Sequence, residues 1–486
     1  MKRFYKDVTV SHETDGYLVR LDGRAIKSPA KKLLVSPTLH LADLVAAEWD
    51  AQEDQVRPQN MPQTRFVGTA VDSFAHKRPE TEIAIKAYAA GDLLSYWADA
   101  PEGLVSEQHR LWQPVLDWAV DKRPQYPGLW LALADAAARA GDAENARAAL
   151  DVLDRMGFGV DLRTRADAEA LRALPGIMSR LDALAGHLDS IGDASLAAEL
   201  PIPGGVPEGV AWDVHGEALF VSLVRDRGIR RVEQGRLTDW TPDAELWSVQ
   251  GLALDSRRRL LWAVTSALNE TPDLDDGEQG HAALLAIDPD TGVLRSRFDV
   301  ATGDHAFGDL VLLSSGDVVV SDAVTGELWR LRDDRFEVWI PAGMLASPQG
   351  LVQWDEDTLL VADYALGLLR VSLADGRVQP LRVPPGTALL GIDGLVLGNG
   401  RLLAIQNGMQ PVRVIEIAID AAATRVVDVT VRLAALPEFA DPTLGTWAGD
   451  RFLFVANSHW PSLRAGGELL GDEAPAAPAR ILQWTP

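Results

Sequence analysis

From residue 204 onward, one pattern of hydrophobic and polar positions is repeated six times. Each copy has a short first strand, a polar turn and an apolar second strand, usually followed by a third. The copies begin at Pro207, Val249, Phe307, Pro348, Ile392 and Pro442, which gives spacings of 42, 58, 41, 44 and 50 residues. A four-stranded propeller blade takes about 40–50 residues. Six copies in one register argue against two sandwiches and predict an all-β, six-bladed β-propeller over residues 201–486.

The hydrophobic pattern is different in the first 123 residues. Alternating positions at residues 4–10 and 17–21 predict two strands. Thr38 then opens a helix that carries Leu41 and Trp49 at helical spacing. Two more helices are predicted near residues 80–97 and 104–120. The first part is therefore expected to be an α+β domain.

Residues 124–200 form a third region, which is rich in alanine and predicted to be all-α. Trp130, Ala137 and Leu150 keep the spacing of a tetratricopeptide helix pair, with Gly141 in the turn. A weaker pair follows at about residues 166–188. A single unit of this kind cannot bury both its faces, so it serves either as a packing adaptor between its neighbours or as a groove for a peptide.

The distribution of charged residues supports a domain junction near Arg123. Every lysine of the chain lies between Lys2 and Lys122. Residues 1–123 hold 16 basic and 18 acidic side chains, whereas the remaining residues hold 30 and 52. A net charge of −24 argues against nucleic-acid binding. The chain has no cysteine, no apolar run that could insert into a membrane and no secretory signal, which predicts a cytoplasmic protein.

The register of the repeats brings polar residues to one mouth of the predicted central channel. These residues stand at the start of the six innermost strands: Glu208, Gln250, Gly308, Gln349, Asp393 and Thr443. Carboxylates placed close together repel each other unless a proton or a cation lies between them. Ca²⁺ takes six to eight oxygen ligands, which Glu208, Gln349, Asp393 and waters can supply. The alternative is a channel that is polar only because water fills it.

Residues 204–486 resemble the senescence-marker-protein/gluconolactonase-like superfamily, which includes the paraoxonase-like lactonases. The strings that carry the resemblance are Pro207-Glu208-Gly209, Ser347-Pro348-Gln349-Gly350, Val361-Ala362-Asp363-Tyr364, Ile392-Asp393-Gly394-Leu395, Gln406-Asn407-Gly408 and Val455-Ala456-Asn457-Ser458. In that family a glutamate, two asparagines and an aspartate hold a catalytic divalent metal. Glu208 and Asp393 match the two acids, whereas Gln349 and Gly308 stand where the asparagines are expected. The resemblance implies a divalent metal site, with calcium favoured over zinc.

The same resemblance implies hydrolysis of a lactone or an ester. Asp393 is the candidate for activating water, and His305 is a second candidate base, although a histidine in a loop is more often a solvated surface residue. Tyr364, Asn407 and Asn457 are candidate substrate contacts at the rim. Whether the propeller is an enzyme stays open at this point, because two of the four expected ligands depart from the family pattern.

Residues 1–120 resemble the chaperone family that assembles the catalytic head of ATP synthase. The strings that carry this resemblance are Lys2-Arg3-Phe4-Tyr5-Lys6-Asp7-Val8, Leu21-Asp22-Gly23-Arg24, Ala47-Glu48-Trp49-Asp50-Ala51-Gln52, Met61-Pro62-Gln63-Thr64-Arg65, Asp92-Leu93-Leu94-Ser95-Tyr96 and Trp112-Gln113-Pro114-Val115-Leu116-Asp117-Trp118. The family holds the unassembled α subunit of ATP synthase, which implies that subunit as the partner. The C-terminal helical half of the family has no counterpart here.

Arg65, Trp97 and Trp112 are the candidate client-binding residues. The competing interpretation places Arg65 in a structural salt-bridge cluster with Glu48 and Asp72, and the tryptophans in a buried core. The sequence thus leaves four hypotheses: an assembly chaperone, a metal-dependent hydrolase, a non-catalytic binding propeller, or a fusion in which neither activity is intact.

Overall fold

The structure is a computed structural model that describes residues 2–13, 16–74, 98, 101–471 and 477–486. Two compact units are present, Met1–Ala98 and Asp99–Pro486. The second unit contains both the helices that follow residue 99 and the large β region. The three-part division of the sequence at residues 123 and 200 stays a prediction.

A small antiparallel sheet forms the centre of the first unit. Strand β2 pairs with the other three, and the four strands are β1 (Val8–Glu13), β2 (Gly16–Leu21), β3 (Arg24–Ala25) and β4 (Val35–Ser36). The first strand begins later than the predicted residue 4. The Asp22 carboxylate accepts the backbone N–H groups of Lys6 and Asp7, at 3.0 and 2.8 Å, and this bends the chain before the strand.

Two helices complete the described part of this unit. Helix α1 (Leu39–Asp50) begins at the predicted place, because the Thr38 hydroxyl accepts the N–H of Leu41 as an N-cap. Helix α2 (Pro62–Thr69) is followed by a π-helical turn at Ala70–Phe74. Val45 of α1 and Val67 of α2 pack into one core with the sheet. The helix predicted near residues 80–97 lies outside the described residues.

The second unit opens with a helical segment. Its helices are α3 (Glu102–Lys122), α4 (Pro127–Arg139), α5 (Ala143–Arg155), α6 (Glu169–Ala173) and α7 (Met178–Gly186). Helices α4 and α5 occupy the predicted pair, with Gly141 at φ 73° in the turn and the Asp142 carboxylate capping α5. Their assignment to the tetratricopeptide class stays a prediction. None of the described helices is long and apolar enough to cross a membrane.

The β region contains six antiparallel sheets of four strands each. Blade 1 holds β6 (Pro207–Asp213), β7 (Ala218–Leu223), β8 (Gly228–Glu233) and β9 (Arg236–Leu237). Blade 2 holds β10 (Ser248–Asp255), β11 (Leu260–Ser266), β12 (Ala282–Ile287) and β13 (Leu294–Val300). Blade 3 holds β14 (Phe307–Leu312), β15 (Val318–Asp322), β16 (Glu327–Arg332) and β17 (Arg335–Ile340).

The remaining sheets follow the same order, with one exception. Blade 4 holds β18 (Pro348–Gln353), β19 (Thr358–Asp363), β20 (Gly367–Ser372) and β21 (Val378–Pro380). Blade 5 holds β22 (Ile392–Gly398), β23 (Arg401–Gln406), β24 (Arg413–Ile419) and β25 (Val426–Ala434). Blade 6 holds β26 (Gly445–Ala448), β27 (Arg451–Val455) and β28 (Ala479–Trp484), and takes its outer strand β5 (Ser195–Leu200) from before blade 1.

The first strand of each blade contacts the first strands of both neighbouring blades, and the contact of β26 with β6 closes the ring. This is the arrangement of a six-bladed β-propeller, as the repeat predicts. Closure through β5 ties the start of the ring to its end, since β5 pairs with β28 from Ala479↔Leu200 to Gln483↔Ser195. Strand β5 therefore covers the edge of β28 in blade 6.

Candidate functional site

A β-bulge lies at the start of five of the six inner strands, β6, β10, β14, β18 and β22. Four of these bulges carry a glycine after a polar residue, and the reason is the close approach of the neighbouring inner strand. A Cβ added at Gly209 would lie 2.3 Å from the Gln250 carbonyl oxygen, and one at Gly350 would lie 2.5 Å from the Leu395 nitrogen. The bulge thus directs the polar side chain toward the channel mouth.

Blade 3 reverses this order, since Gly308 comes first and Asp309 second. The place left by the missing side chain is filled from blade 4: Gln349 Oε1 lies 2.8 Å from the position of a Cβ at Gly308. The longer Gln349 side chain and the side chain lost at Gly308 therefore compensate for each other. Asp309 adds a carboxylate that the sequence analysis did not assign.

Four acidic side chains are close enough at this mouth for their charges to interact: Glu208, Asp309, Asp393 and Asp441. Glu208 is 5% exposed, whereas the three aspartates keep part of their surface open while protein surrounds them. The predicted convergence of Glu208 and Asp393 is therefore present in the structure.

Burial and mutual repulsion change the acidity of this cluster. Burial, followed by the charge of Asp441, raises the pKa of Asp393 to about 7. Burial raises the pKa of Asp309 to about 7 and that of Asp441 to about 6. The pKa of Glu208 is also raised well above its ordinary value, through burial and then the charge of Asp393. Among the described residues, no basic side chain forms an ion pair with any of the four.

Three predicted residues form one hydrogen-bonded chain at the rim. Asn407 Nδ2 donates to Asp393 Oδ2 at 2.8 Å and to the Pro442 carbonyl at 3.1 Å. The Tyr364 hydroxyl donates to Asn407 Oδ1 at 3.1 Å. Burial raises the pKa of Tyr364 to about 12, so its phenol stays neutral. Tyr364 and Asn407 therefore orient Asp393, and Tyr364 is exposed enough to meet a substrate.

The mouth has the donor set of a hard cation. Its carboxylates have no cationic partner, and the buried Oε1 atom of Gln250 accepts no hydrogen bond from the described residues. Gln250 occupies the same strand position as Glu208 in the next blade. Trp460 Nε1–H donates to Glu208 Oε2, which satisfies one oxygen of that carboxylate. A group of acids that lacks basic partners among the described residues fits Ca²⁺, which prefers oxygen ligands and tolerates variable coordination.

Both ring nitrogens of His305 already have hydrogen-bond partners. Its Nδ1 lies 2.6 Å from Asp322 Oδ2, and its Nε2 lies 2.9 Å from the Thr302 carbonyl oxygen. A carbonyl oxygen only accepts, so Nε2 carries a proton, and the Asp322 hydrogen bond raises the pKa of the ring. His305 joins its loop to the end of β15. Because both nitrogens are hydrogen-bonded, this geometry opposes the predicted role as a base.

Asn457, just after the second strand of blade 6, also makes hydrogen bonds that hold the backbone. Its Nδ2 donates to the Pro478 carbonyl at 2.8 Å, and its Oδ1 accepts the Arg480 N–H at 2.7 Å. Thr443, another residue predicted at the mouth, donates its hydroxyl to the Glu208 carbonyl at 2.7 Å. These polar atoms of Asn457 and Thr443 therefore bond backbone groups of the propeller. Substrate contact by Asn457 stays a prediction.

The candidate client-binding residues lie in different environments. Arg65 is exposed on α2 and lines a cavity of about 500 Å³ together with Leu34 and Met61. Trp112 is half-buried on α3, and Trp97 lies outside the described residues. Arg65 forms no ion pair with either predicted partner, all three residues being among those described.

The two acids of that predicted cluster have other partners. Glu48 accepts the N–H groups of Gln63 and Thr64 at the start of α2, at 2.6 and 2.8 Å. Asp72 accepts the Ser28 hydroxyl and the Ala30 N–H. The predicted salt-bridge cluster is therefore wrong, because backbone amides and a hydroxyl take the place of the guanidinium.

Sequence reasoning missed Asp309, Asp441 and Trp460 at the mouth. A signal for Asp309 exists in the reversed Gly308-Asp309 order, which puts the acid at the position that is glycine in four other bulges. Asp441 precedes its inner strand, and Trp460 comes from a 3₁₀ turn (Trp460–Ser462) outside the repeat, so the repeat pattern holds no signal for either.

Comparison with known proteins finds similarity in the first part of the chain. The family model of the ATP12 chaperone protein matches residues 2–120. The protein atp12, mitochondrial, of Schizosaccharomyces pombe is 33% identical over 123 residues, which cover 24% of this chain and 42% of that protein. The chain thus spans less than half the length of this curated relative. The predicted resemblance of the first part is confirmed.

Solved structures are similar to each part separately. The Atu1473 protein of Agrobacterium tumefaciens is 46% identical, with a TM-score of 0.23, and the match covers 26% of this chain and 47% of that one. The PQQ-bound aldose sugar dehydrogenase of Streptomyces coelicolor is 15% identical, with a TM-score of 0.40, over 60% of this chain and 97% of that one.

Proposed function

We propose that the N-terminal part of this chain binds an unassembled ATP synthase α subunit. The family match over residues 2–120 carries this proposal. Exposed apolar side chains support it, since a chaperone that shields an apolar interface needs an apolar surface of its own. Phe4 is 61% exposed and Phe66 is 66% exposed, and Phe66 follows Arg65 on α2. The proposal concerns binding alone, because the chain spans 42% of its curated relative.

A pull-down of α subunit by the full chain tests this function. We expect the wild-type chain to capture the subunit and Phe66→Glu to lose at least about tenfold in affinity, since a buried charge without a partner opposes docking. Val427→Glu is the matched control, because Val427 is 53% exposed on blade 5. Absence of capture by the wild-type chain, or equal capture by Phe66→Glu, contradicts the proposal.

A second function is proposed for the propeller: metal-dependent hydrolysis of a lactone or an ester. The convergence of four acidic side chains without a cationic partner carries this proposal. Glu208, Asp309, Asp393 and Gln349 would hold a divalent cation, and calcium suits this all-oxygen set better than zinc. When bound, such a cation polarises a carbonyl group as a Lewis acid.

The remaining chemistry follows from the side chains of this chain. Asn407 holds Asp393 through Oδ2, and among the described residues no donor reaches Oδ1. Asp393 can therefore take a proton from the attacking water at Oδ1 and return it to the alkoxide that leaves when the ester or lactone bond breaks. The neutral hydroxyl of Tyr364 orients Asn407 and contacts the substrate at the rim.

Lactone turnover by the full chain, with and without a chelator, tests this second function. We expect turnover that is lost with chelator, restored by Ca²⁺, and reduced by at least about 10²-fold in Asp393→Ala, the lower end of the contribution of a general base. Turnover indifferent to the chelator and to Asp393→Ala contradicts the mechanism. Ca²⁺ binding without turnover assigns the propeller to the non-catalytic binding class. Loss of both this binding and α-subunit capture assigns the chain to a fusion with neither activity.

A further inference from the structure

Arg413 lies buried where helix α5 ends against blade 5. It is 3% exposed, and burial lowers the pKa of its guanidinium to about 10, so the group stays charged at neutral pH. Among the described residues, no carboxylate pairs with it. A buried cation is costly unless its N–H groups find acceptors, so the position of those acceptors explains what this arginine does.

The acceptors belong to two different parts of the second unit. Nη1 donates to the carbonyl oxygens of Met156 and Gly157, at 3.0 and 3.2 Å, just after the last turn of α5. Nε donates to Gln406 Oε1 at 2.7 Å, at the end of β23. Carbonyl groups at a helix C-terminus carry partial negative charge and attract a cation. Arg413 thus joins the helical segment to blade 5.

Gln406 directly precedes Asn407, the residue that holds Asp393. Gln406 Nε2 donates to the carbonyls of Ala388 and Leu390, at 3.0 and 2.7 Å. On the other side of Asn407, Gly408 N–H donates to the Gly391 carbonyl at 3.0 Å. The backbone that presents Asn407 is therefore held on both sides, and the amide of Gln406 is itself oriented by Arg413.

Apolar packing follows the same path. Ala388 and Met409 of the propeller lie in one buried cluster with Leu150, Leu153 and other residues of the helical segment. Gly159 N–H donates to the Gln410 carbonyl at 2.8 Å, three positions beyond Asn407. The helical segment therefore packs on the loop that leads away from the candidate site.

We propose that Arg413 is a positioning residue of the candidate cation site: it ties the end of α5 to the strand end that presents Asn407 and thereby fixes Asp393. The helical segment then supports the site, instead of serving only as an adaptor between its neighbours. This inference rests on the proposed cation site and concerns how firmly its ligand is held.

Calorimetric titration of the full chain with Ca²⁺ tests the inference. We expect Arg413→Gln to weaken Ca²⁺ binding by about 10–100-fold, the effect typical of residues that orient metal ligands. Arg413→Lys should recover part of the affinity, because an ammonium group also donates to the helix carbonyls. Arg330→Gln is the matched control: Arg330 is 8% exposed and pairs with Asp317, without any bond to the mouth, so its loss should leave the Ca²⁺ affinity unchanged.

A second substitution addresses loss of the fold in Arg413→Gln. Gln406→Glu keeps an acceptor for Arg413 but removes both donations to Ala388 and Leu390, so Ca²⁺ binding should weaken while the ion pair preserves the fold. Equal Ca²⁺ affinity in the wild type and in these variants overturns the role of Arg413, as does equal weakening in Arg330→Gln. Absence of Ca²⁺ binding in the wild type instead removes the cation site on which the inference rests.

Discussion

At the scale of single residues, the mouth of the propeller holds more negative charge than its surroundings neutralise. Glu208 receives one indole N–H from Trp460, and Asp393 receives one amide N–H from Asn407. These bonds satisfy single oxygens and leave the mutual repulsion of the acids in place. Without a cation, the cluster therefore destabilises the folded propeller whenever its carboxyl groups are ionised.

Asp393→Asn is expected to raise the stability of the Ca²⁺-free chain and to weaken Ca²⁺ binding. At pH 8 the substitution removes one charge from the repelling cluster, so the Ca²⁺-free chain should gain on the order of 1–2 kcal/mol in the free energy of unfolding. It should also lose the stabilisation by Ca²⁺. Urea denaturation with and without Ca²⁺ measures both effects. Destabilisation of the Ca²⁺-free chain, or an unchanged response to Ca²⁺, contradicts this account of Asp393.

The pH dependence of the Ca²⁺-free chain follows from the same acids. An unfolded aspartate has a pKa of about 3.9, whereas the folded values for Asp393 and Asp309 are about 7 and that for Asp441 is about 6. Between these limits the folded chain binds more protons than the unfolded chain. Stability should therefore fall as the pH rises from about 4 to 7.

Thermal unfolding in chelator between pH 5 and pH 8 measures this decline. The raised pKa of His305 acts in the same direction at higher pH, because its protonated form is the one stabilised by Asp322. Asp393→Asn should make the decline below pH 7 shallower, because Asp309 and Asp441 still contribute, and it should leave the His305 contribution in place. A midpoint that rises with pH over this range contradicts the raised aspartate pKa values.

At the scale of elements, the bulges at the inner strands determine how closely the blades approach at the mouth. A Cβ at Gly350 would lie 2.5 Å from the Leu395 nitrogen and 2.8 Å from the Asp393 carbonyl oxygen. Both atoms belong to the backbone of a buried strand and cannot yield as the end of a flexible side chain can. The glycine therefore sets the distance between blades 4 and 5 beside Asp393.

Gly350→Ala is expected to destabilise the propeller by about 1–3 kcal/mol, the range for overpacking a well-packed core. The displaced backbone carries Asp393, so Ca²⁺ affinity should fall as well. Gly103→Ala is the control, because the added Cβ on α3 meets no described atom within 4 Å apart from its chain neighbours and its own helix backbone. Urea denaturation and Ca²⁺ titration measure the two effects, and a Gly350→Ala chain that behaves like Gly103→Ala contradicts the close approach.

The sequence predicts elements well where one physical signal dominates. The second strands of the blades are found where the apolar runs predict them, because a strand buried on both faces has few polar positions. Elsewhere one type of residue at one type of position can have different roles, and the sequence does not distinguish them. A polar residue at a strand end can bond an acid at the mouth, as Asn407 does, or bond a neighbouring loop, as Asn457 does, and both look alike in the sequence. His305 is such a case, because only coordinates reveal that both its nitrogens are bonded.

At the scale of the whole molecule, the match to the chaperone family extends beyond the first compact unit, since it covers residues 2–120 and that unit ends at Ala98. The composition boundary at Lys122 is the last residue of α3, the first described helix of the second unit, so composition and packing divide the chain at different places. Contacts between the helical segment and the propeller could not be predicted from the sequence. The bonds of Arg413 span 257 positions to Met156, and no local pattern reports a pair so distant.

The two functions are expected to respond independently to substitution. Asp393→Asn should keep α-subunit capture, and Phe66→Glu should keep Ca²⁺ binding, because the two residues belong to different compact units and sites without shared partners act additively. Pull-down and Ca²⁺ titration of the same two variants form the test. Loss of both functions in either variant indicates that one site depends on the other and contradicts their independence.

Terbium luminescence tests the central claim, a cation held by the acids at the propeller mouth, most directly. Tb³⁺ takes oxygen ligands as Ca²⁺ does, and Trp460 donates to Glu208, so excitation of the indole should sensitise emission from a bound ion. We predict saturable emission from the wild-type chain that Ca²⁺ displaces, loss of most emission in Trp460→Phe with Ca²⁺ binding retained, and no saturable emission in Asp393→Asn. Emission that is absent in the wild type, or unchanged in Asp393→Asn, contradicts the site.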